Sequence, residues 1–172
     1  MDTAAQDTAR PEGFKRVSAA LAGKRHPHTP LWLDVTARTS LEAAEALGVS
    51  LGQIAKSVVF RRKADETAVM VIASGDLRVD ETKLKKHTGP LGRADANYVK
   101  ARTGFSIGGV SPLGFAPVDG TTQPLVFIDS ELFRFDVVWA AAGHPNGVFK
   151  MTPDQLVALT GAPVIDVMQL AP

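Results

Sequence analysis

Lys56 is the first residue whose position asks for a chemical reason. It lies within Ile54-Ala55-Lys56-Ser57-Val58-Val59-Phe60, a stretch otherwise apolar and rich in β-branched side chains. A buried ammonium is costly unless it is paired or faces a polar cleft. Two readings are open: a lysine at a strand edge aimed into a pocket, where it meets a phosphate or carbonyl oxygen, or a lysine at a strand's start that snorkels to water. The second unusual stretch is Gly104-Phe105-Ser106-Ile107-Gly108-Gly109-Val110-Ser111-Pro112-Leu113-Gly114-Phe115. Its glycines and proline fix an irregular backbone that can bring bare N–H and C=O groups close to a ligand, or simply make a wide turn. The stretch fits neither a dinucleotide fingerprint nor a phosphate-binding P-loop, because no strand clearly precedes it and it lacks Gly-Lys-Ser/Thr.

Three further positions carry polar chemistry. His144, in Gly143-His144-Pro145-Asn146-Gly147, sits where an apolar strand runs out and could orient a substrate, move a proton or serve as an ordinary loop histidine. Asp129 closes another apolar strand, as a site carboxylate or as the cap of the next turn. His26 and His28 have no third ligand at a recognisable spacing, so no metal site and no cofactor is expected. The chain has no cysteine, which excludes disulfides, thiolate metal sites and thiol nucleophiles. Nor do Ser57 and Ser106 have an evident partner base, so no Ser-His-Asp set is legible.

The elements that must position these groups follow from periodicity. Phe14, Val17, Ala20 and Leu21 recur at helical spacing, and the proline-broken run from His26 to Pro30 then requires a loop. Leu31–Val35 reads as a short strand. Thr39 and Glu42 make a capping-box pattern, and Gly48 stops the helix they open. Ile54–Phe60 and Thr67–Ala73 read as two strands joined by the charged turn Arg61–Glu66, which makes an antiparallel hairpin. Helices are expected over Asp80–His87 and Asp95–Arg102, strands at Leu125–Asp129, Val137–Ala141 and Val164–Val167, and a last helix from Pro153 to Gly161. Strands and helices in this order, with a hairpin, argue for an α/β domain with a mixed, largely antiparallel sheet flanked by helices rather than a doubly wound one.

A chain of 172 residues suits one domain, here 13–172, behind a polar tail, 1–12, read as disordered. No apolar run reaches the ~18 residues of a membrane helix, and no signal-like segment opens the chain, so a cytoplasmic protein with no membrane partner is expected. The net charge of +1 hides an asymmetry: 56–102 holds 11 of the 19 Lys and Arg residues against 6 acids. That is either a solvated basic face or the footprint of an anionic partner.

Taken in order and spacing, Gly48-Val49…Ile54-Ala55-Lys56-Ser57-Val58-Val59-Phe60, Gly108-Gly109-Val110-Ser111-Pro112-Leu113-Gly114-Phe115 and Gly143-His144-Pro145-Asn146 before Thr152-Pro153-Asp154-Gln155-Leu156 resemble the prolyl-tRNA editing-domain family, also called YbaK/ProX. The likeness runs from about Phe14 to Val167. It implies a mainly antiparallel sheet flanked by helices and an enzyme that removes wrong amino acids from tRNA. Because the chain has no room for a synthetase, the form implied is a trans-acting deacylase. Its partners would be the acceptor end of tRNA, in particular tRNA for proline, and prolyl-tRNA synthetase as a candidate companion. Lys56 matches the family's essential lysine, and Gly109 to Pro112 its glycine–proline loop. Substrate contacts are then expected from Ser57, Gly108, Gly109, Val110, Ser111 and Pro112, with Asp129 and His144 in less specific segments. Lys83, Lys85, Lys86, Arg93, Lys100 and Arg102 would meet acceptor-stem phosphates. Trp32, Val49, Ser57 and Phe115 are candidates for the pocket wall. Two other activities stay open: a non-catalytic aminoacyl-tRNA or nucleotide binding module, and lyase-type sulfur chemistry on cysteinyl-tRNA.

Overall fold

The computed structural model describes residues 9–118 and 121–169, so most of the expected tail, 1–8, lies outside the described residues. Helix α1 spans Glu12–Gly23 and buries Phe14, Val17 and Leu21, the apolar stripe that its spacing requires. Helix α2, Ser40–Leu47, starts at Thr39, whose hydroxyl accepts from the Glu42 N–H, and ends at left-handed Gly48. Helices α3, Glu81–Thr88, and α4, Ala96–Thr103, are capped by Asp80 and Asp95. Helix α5, Pro153–Thr160, carries Pro153 in its first turn and a reciprocal Thr152–Gln155 capping box.

Among the described residues eight strands form two sheets. The first is antiparallel, in the order β1 (Leu31–Trp32), β7 (Gly147–Met151), β6 (Val138–Ala141). The second runs β4 (Leu91–Arg93), β2 (Ala55–Arg62), β3 (Ala68–Ser74), β5 (Leu125–Asp129), β8 (Val164–Ile165). Its β2–β3 pair is the expected hairpin, with Lys56 opposite Ala73, whereas β3–β5 and β5–β8 are parallel. The fold is therefore mixed α/β. The expected strand Leu31–Val35 shrinks to two residues, because Leu33 and Ala37 bond instead to the carbonyls of Asn146 and Pro145.

Strand β3 is buried along its whole length and separates two apolar clusters. On one side Met70, Ile72 and Ile128 join α1, β6, β7 and α5; on the other Val69, Val71 and Ala73 join Leu84, Leu91 and Phe127. Strand β4 flanks β2 only at Phe60–Arg62. The other edge of Ala55–Val59 has no strand of its sheet beside it, and β6 approaches there through the bridge Ile54–Trp139. The site opens at this gap between the sheets.

Candidate active site

A cavity of about 350 Å³ occupies the gap. One wall is the β2 segment Ile54–Val59 with Trp139, Ala140 and Ala141 of β6. The turn into α2, from Ala37 to Ser40, closes a second side, Ala94 and Val99 a third, and Ile107, Gly108 and Val110 a fourth. The volume lies at the small end of ligand sites, and the lining is mainly apolar with few polar groups, the composition that lets those few fix an orientation.

Lys56 is part of this wall and half-buried, which decides against a lysine that merely snorkels to open water. Its Nζ donates to the Leu77 carbonyl at 2.6 Å. An ammonium has three donors, and the other two have no partner among the described residues. Burial lowers the Lys56 pKa first; the nearby Arg78 charge lowers it further, and Asp76 opposes both. Beside it, the Ser57 hydroxyl is shut off from water and has no hydrogen-bond partner among the described residues. A buried polar group left unpaired costs about 1–3 kcal/mol.

The glycine loop reaches the cavity through only part of its length. Gly108 and Val110 line it; Gly109, Ser111 and Pro112 stand behind, buried. The Gly109 N–H is already donated to the Ser106 carbonyl, and the Ser111 hydroxyl accepts from the Leu113 N–H. By contrast the N–H groups of Gly108 and Val110 have no partner among the described residues, which leaves them free to meet a ligand. Gly109 is glycine for lack of room: a Cβ there would lie 2.7 Å from His144 Cα and 2.8 Å from its nitrogen. The loop thus rests directly on the His144 turn.

His144 does not line the cavity. Its ring stacks on Trp32 at 4.8 Å, and its Nδ1 accepts from the Asn146 N–H. That bond fixes the neutral tautomer with hydrogen on Nε2, and burial together with the Arg38 charge lowers its pKa. The histidine therefore buttresses the loop from behind. Asp129 is elsewhere and fully buried, with its carboxylate accepting from the N–H groups of Glu131 and Val167. The structure gives it the capping part, tying β5 to the turn Ser130–Arg134 and to the β8 region, and no contact with the cavity. Of the residues expected to shape the pocket only Ser57 lines it; Trp32, Val49 and Phe115 do not, and the apolar wall includes Trp139, Ile54 and Val99 instead.

The expected basic contacts divide into two groups. Lys83 is held by the Met168 carbonyl at 2.9 Å and by Asp166, Lys100 donates to the Gly104 carbonyl, and Arg102 covers the Tyr98 ring. Lys85, Lys86 and Arg93 are exposed and make no ion pair among the described residues. Arg93 adjoins Ala94 of the cavity wall. Arg38, which no charge run or periodicity marks in the sequence, also lines the cavity. No group of three or more His, Cys, Asp or Glu side chains suited to a metal occurs among the described residues, nor is any described helix long and apolar enough to cross a membrane.

Comparison with known proteins gives the family and the fold. The aminoacyl-tRNA editing domain family matches over residues 34–159. A Bacillus subtilis (strain 168) protein, named "Uncharacterized protein YwhH", is 37% identical over 124 residues, covering 72% of this chain and 75% of its own. The crystal structure of a proposed trans-editing enzyme for prolyl tRNA synthetase superposes with a TM-score of 0.83 at 36% identity, over 94% of this chain and 100% of that one. The hypothetical protein APE2540 gives 0.81 at 30% identity, over 90% and 99%. The cavity walls from Ala37 to Val148 fall inside the family match, and the chain belongs to the aminoacyl-tRNA editing domain family.

Proposed function

We propose that this protein acts in trans to hydrolyse the ester of mischarged aminoacyl-tRNA, with tRNA for proline bearing a small wrong amino acid as its substrate. The observation that carries this reading is the cavity of about 350 Å³ whose wall joins Lys56 and Ser57 to Gly108 and Val110, loop residues whose N–H groups have no partner among the described residues. A space of that size suits a small aminoacyl group and its ribose.

Hydrolysis of an aminoacyl ester needs a positioned carbonyl, donors for the oxyanion that develops on it, and an activated water. The Gly108 and Val110 N–H groups are the donors, set in a largely apolar site where such donors act more strongly than in water. Lys56, already anchored on the Leu77 carbonyl, presents its remaining donors to the ribose and ester oxygens, so its charge is fixed in place before the substrate arrives. No described side chain of the wall is a carboxylate or histidine fit to be a general base. The free hydroxyl of the terminal ribose therefore activates the water, and the protein's part is positioning and charge stabilisation.

A panel of tRNAs for proline charged with alanine, serine, threonine, cysteine or proline tests the reading. The smaller wrong amino acids are released fastest and prolyl-tRNA is spared. One methylene in an apolar pocket is worth about 1–3 kcal/mol, so neighbouring members of the panel differ by roughly 10- to 200-fold. Stable binding without release from any member would instead mark a binding module.

A further inference from the structure

We propose that Arg38 clamps the phosphodiester that joins the last two nucleotides of the tRNA, while the aminoacyl ester occupies the cavity behind it. The inference rests on the editing reading and adds to it a residue and a ligand group. Arg38 stands in the turn that leads into α2 and forms part of the cavity wall, yet it is exposed. Among the described residues its guanidinium has no hydrogen bond and no ion pair, in contrast to Arg61, Arg62 and Arg134, which are each held by carboxylates.

The stem of Arg38 is held even though its head is free. Gly108 has a φ of +96°, and the position its Cβ would take lies 3.4–3.5 Å from the Arg38 Cγ, Cα and Cβ. The arginine thus packs over the loop that supplies the oxyanion donors. Its charge also reaches far enough around the loop to disfavour protonation of His144. A fork of donors on a supported stem, unpaired and at the mouth of an ester site, suits a phosphate oxygen pair.

Lys56 is badly placed for the same task. It is half-buried, tied to Leu77, and beside a second cation and an acid, so its charge is directed to the inner part of the site. The outer anion needs another cation. Lys85 and Lys86, in the last turn of α3, are not in the cavity wall. They are left for the more distant stem phosphates, and Arg38 is the arginine of the wall itself.

Deacylation of alanyl-tRNA for proline and of 2′(3′)-alanyl-adenosine, which has the ester but no phosphodiester, provides the test. Arg38→Ala should lose at least tenfold more kcat/KM on the tRNA than on the adenosine ester, with the difference in KM, and Arg38→Lys should recover part of it. The salt dependence of tRNA binding should flatten by about 0.7–0.9 in slope, the loss of one phosphate contact. Equal losses on both substrates, or an unchanged slope, would overturn the clamp. If the unaltered protein hydrolyses neither substrate, the editing reading fails by itself. The clamp is then judged by binding of AMP against adenosine: loss of AMP's advantage in Arg38→Ala supports it, and a retained advantage overturns it.

Discussion

Replacing Lys56 with alanine should reduce single-turnover deacylation by about 10²–10³-fold, the usual effect of removing one group that stabilises developing charge. The protein should still fold. Lys56 stands where β2 is paired with β3 on one edge and has no strand of its sheet on the other, and its side chain makes one hydrogen bond, to the Leu77 carbonyl. Loss of that bond is worth about 0.5–1.5 kcal/mol, well below the stability of an ordinary domain. Lys56→Arg should recover little, because a planar fork does not reproduce a compact ammonium already fixed at 2.6 Å from a carbonyl. The ammonium is the active form. Since burial and Arg78 lower its pKa, activity should fall on the alkaline side at a pH below the 10.5 of free lysine. Removing the like charge in Arg78→Ala favours the ammonium and should move that limb upward. A rate profile flat through the alkaline range, or full activity in Lys56→Ala, would remove the lysine from the mechanism.

The second large effect is expected at Gly109, which is not in the cavity wall. An alanine there brings Cβ to 2.7–2.9 Å of three His144 backbone atoms, and backbone cannot rotate aside. The loop must lift from the His144 turn, and Gly108 and Val110 move with it. Overpacking of this kind costs about 1–3 kcal/mol, or roughly 4–8 °C in Tm for about 2 kcal/mol in a domain of this size. A displacement near 1 Å of the two donors should lower deacylation by about 10²-fold even well below the melting temperature. Calorimetry and rate measurements on Gly109→Ala at 25 °C separate the two consequences. A variant with native Tm and native rate would show that the loop does not depend on this contact.

Much of the architecture could be read from residue order because each signal was local. The Thr39 cap, Pro153 and the glycines after α2 and α5 mark helix ends by backbone chemistry alone. The β2–β3 hairpin followed from two apolar runs and a charged turn. Strands β4 and β7 were not legible. Leu91-Gly92-Arg93 has three residues with glycine at the centre, and β7 buries Val148 and Phe149 in succession, so no alternation betrays it. Both become strands because a neighbour already offers an edge: β2 for β4, and β6 with β1 for β7.

The site shows the same division. Lys56 stood out because a charge interrupts an apolar strand, and the loop because of its glycines. Which loop amides are free could not be foreseen, since that depends on the Ser106–Gly109 turn. Asp129 looked like a site carboxylate because an acid at a strand end serves catalysis and capping alike; two backbone N–H groups decide for capping. Arg38 left no trace in composition or period, because its significance comes from the approach of Gly108, distant in sequence.

The most direct measurement follows the fate of a labelled amino acid in a single turnover with alanyl-tRNA for proline. Hydrolysis in the Lys56–Gly108 cleft predicts release of intact alanine and a tRNA that can be charged again, both lost in Lys56→Ala. Label that stays on the tRNA, or leaves as a chemically altered fragment, would contradict it.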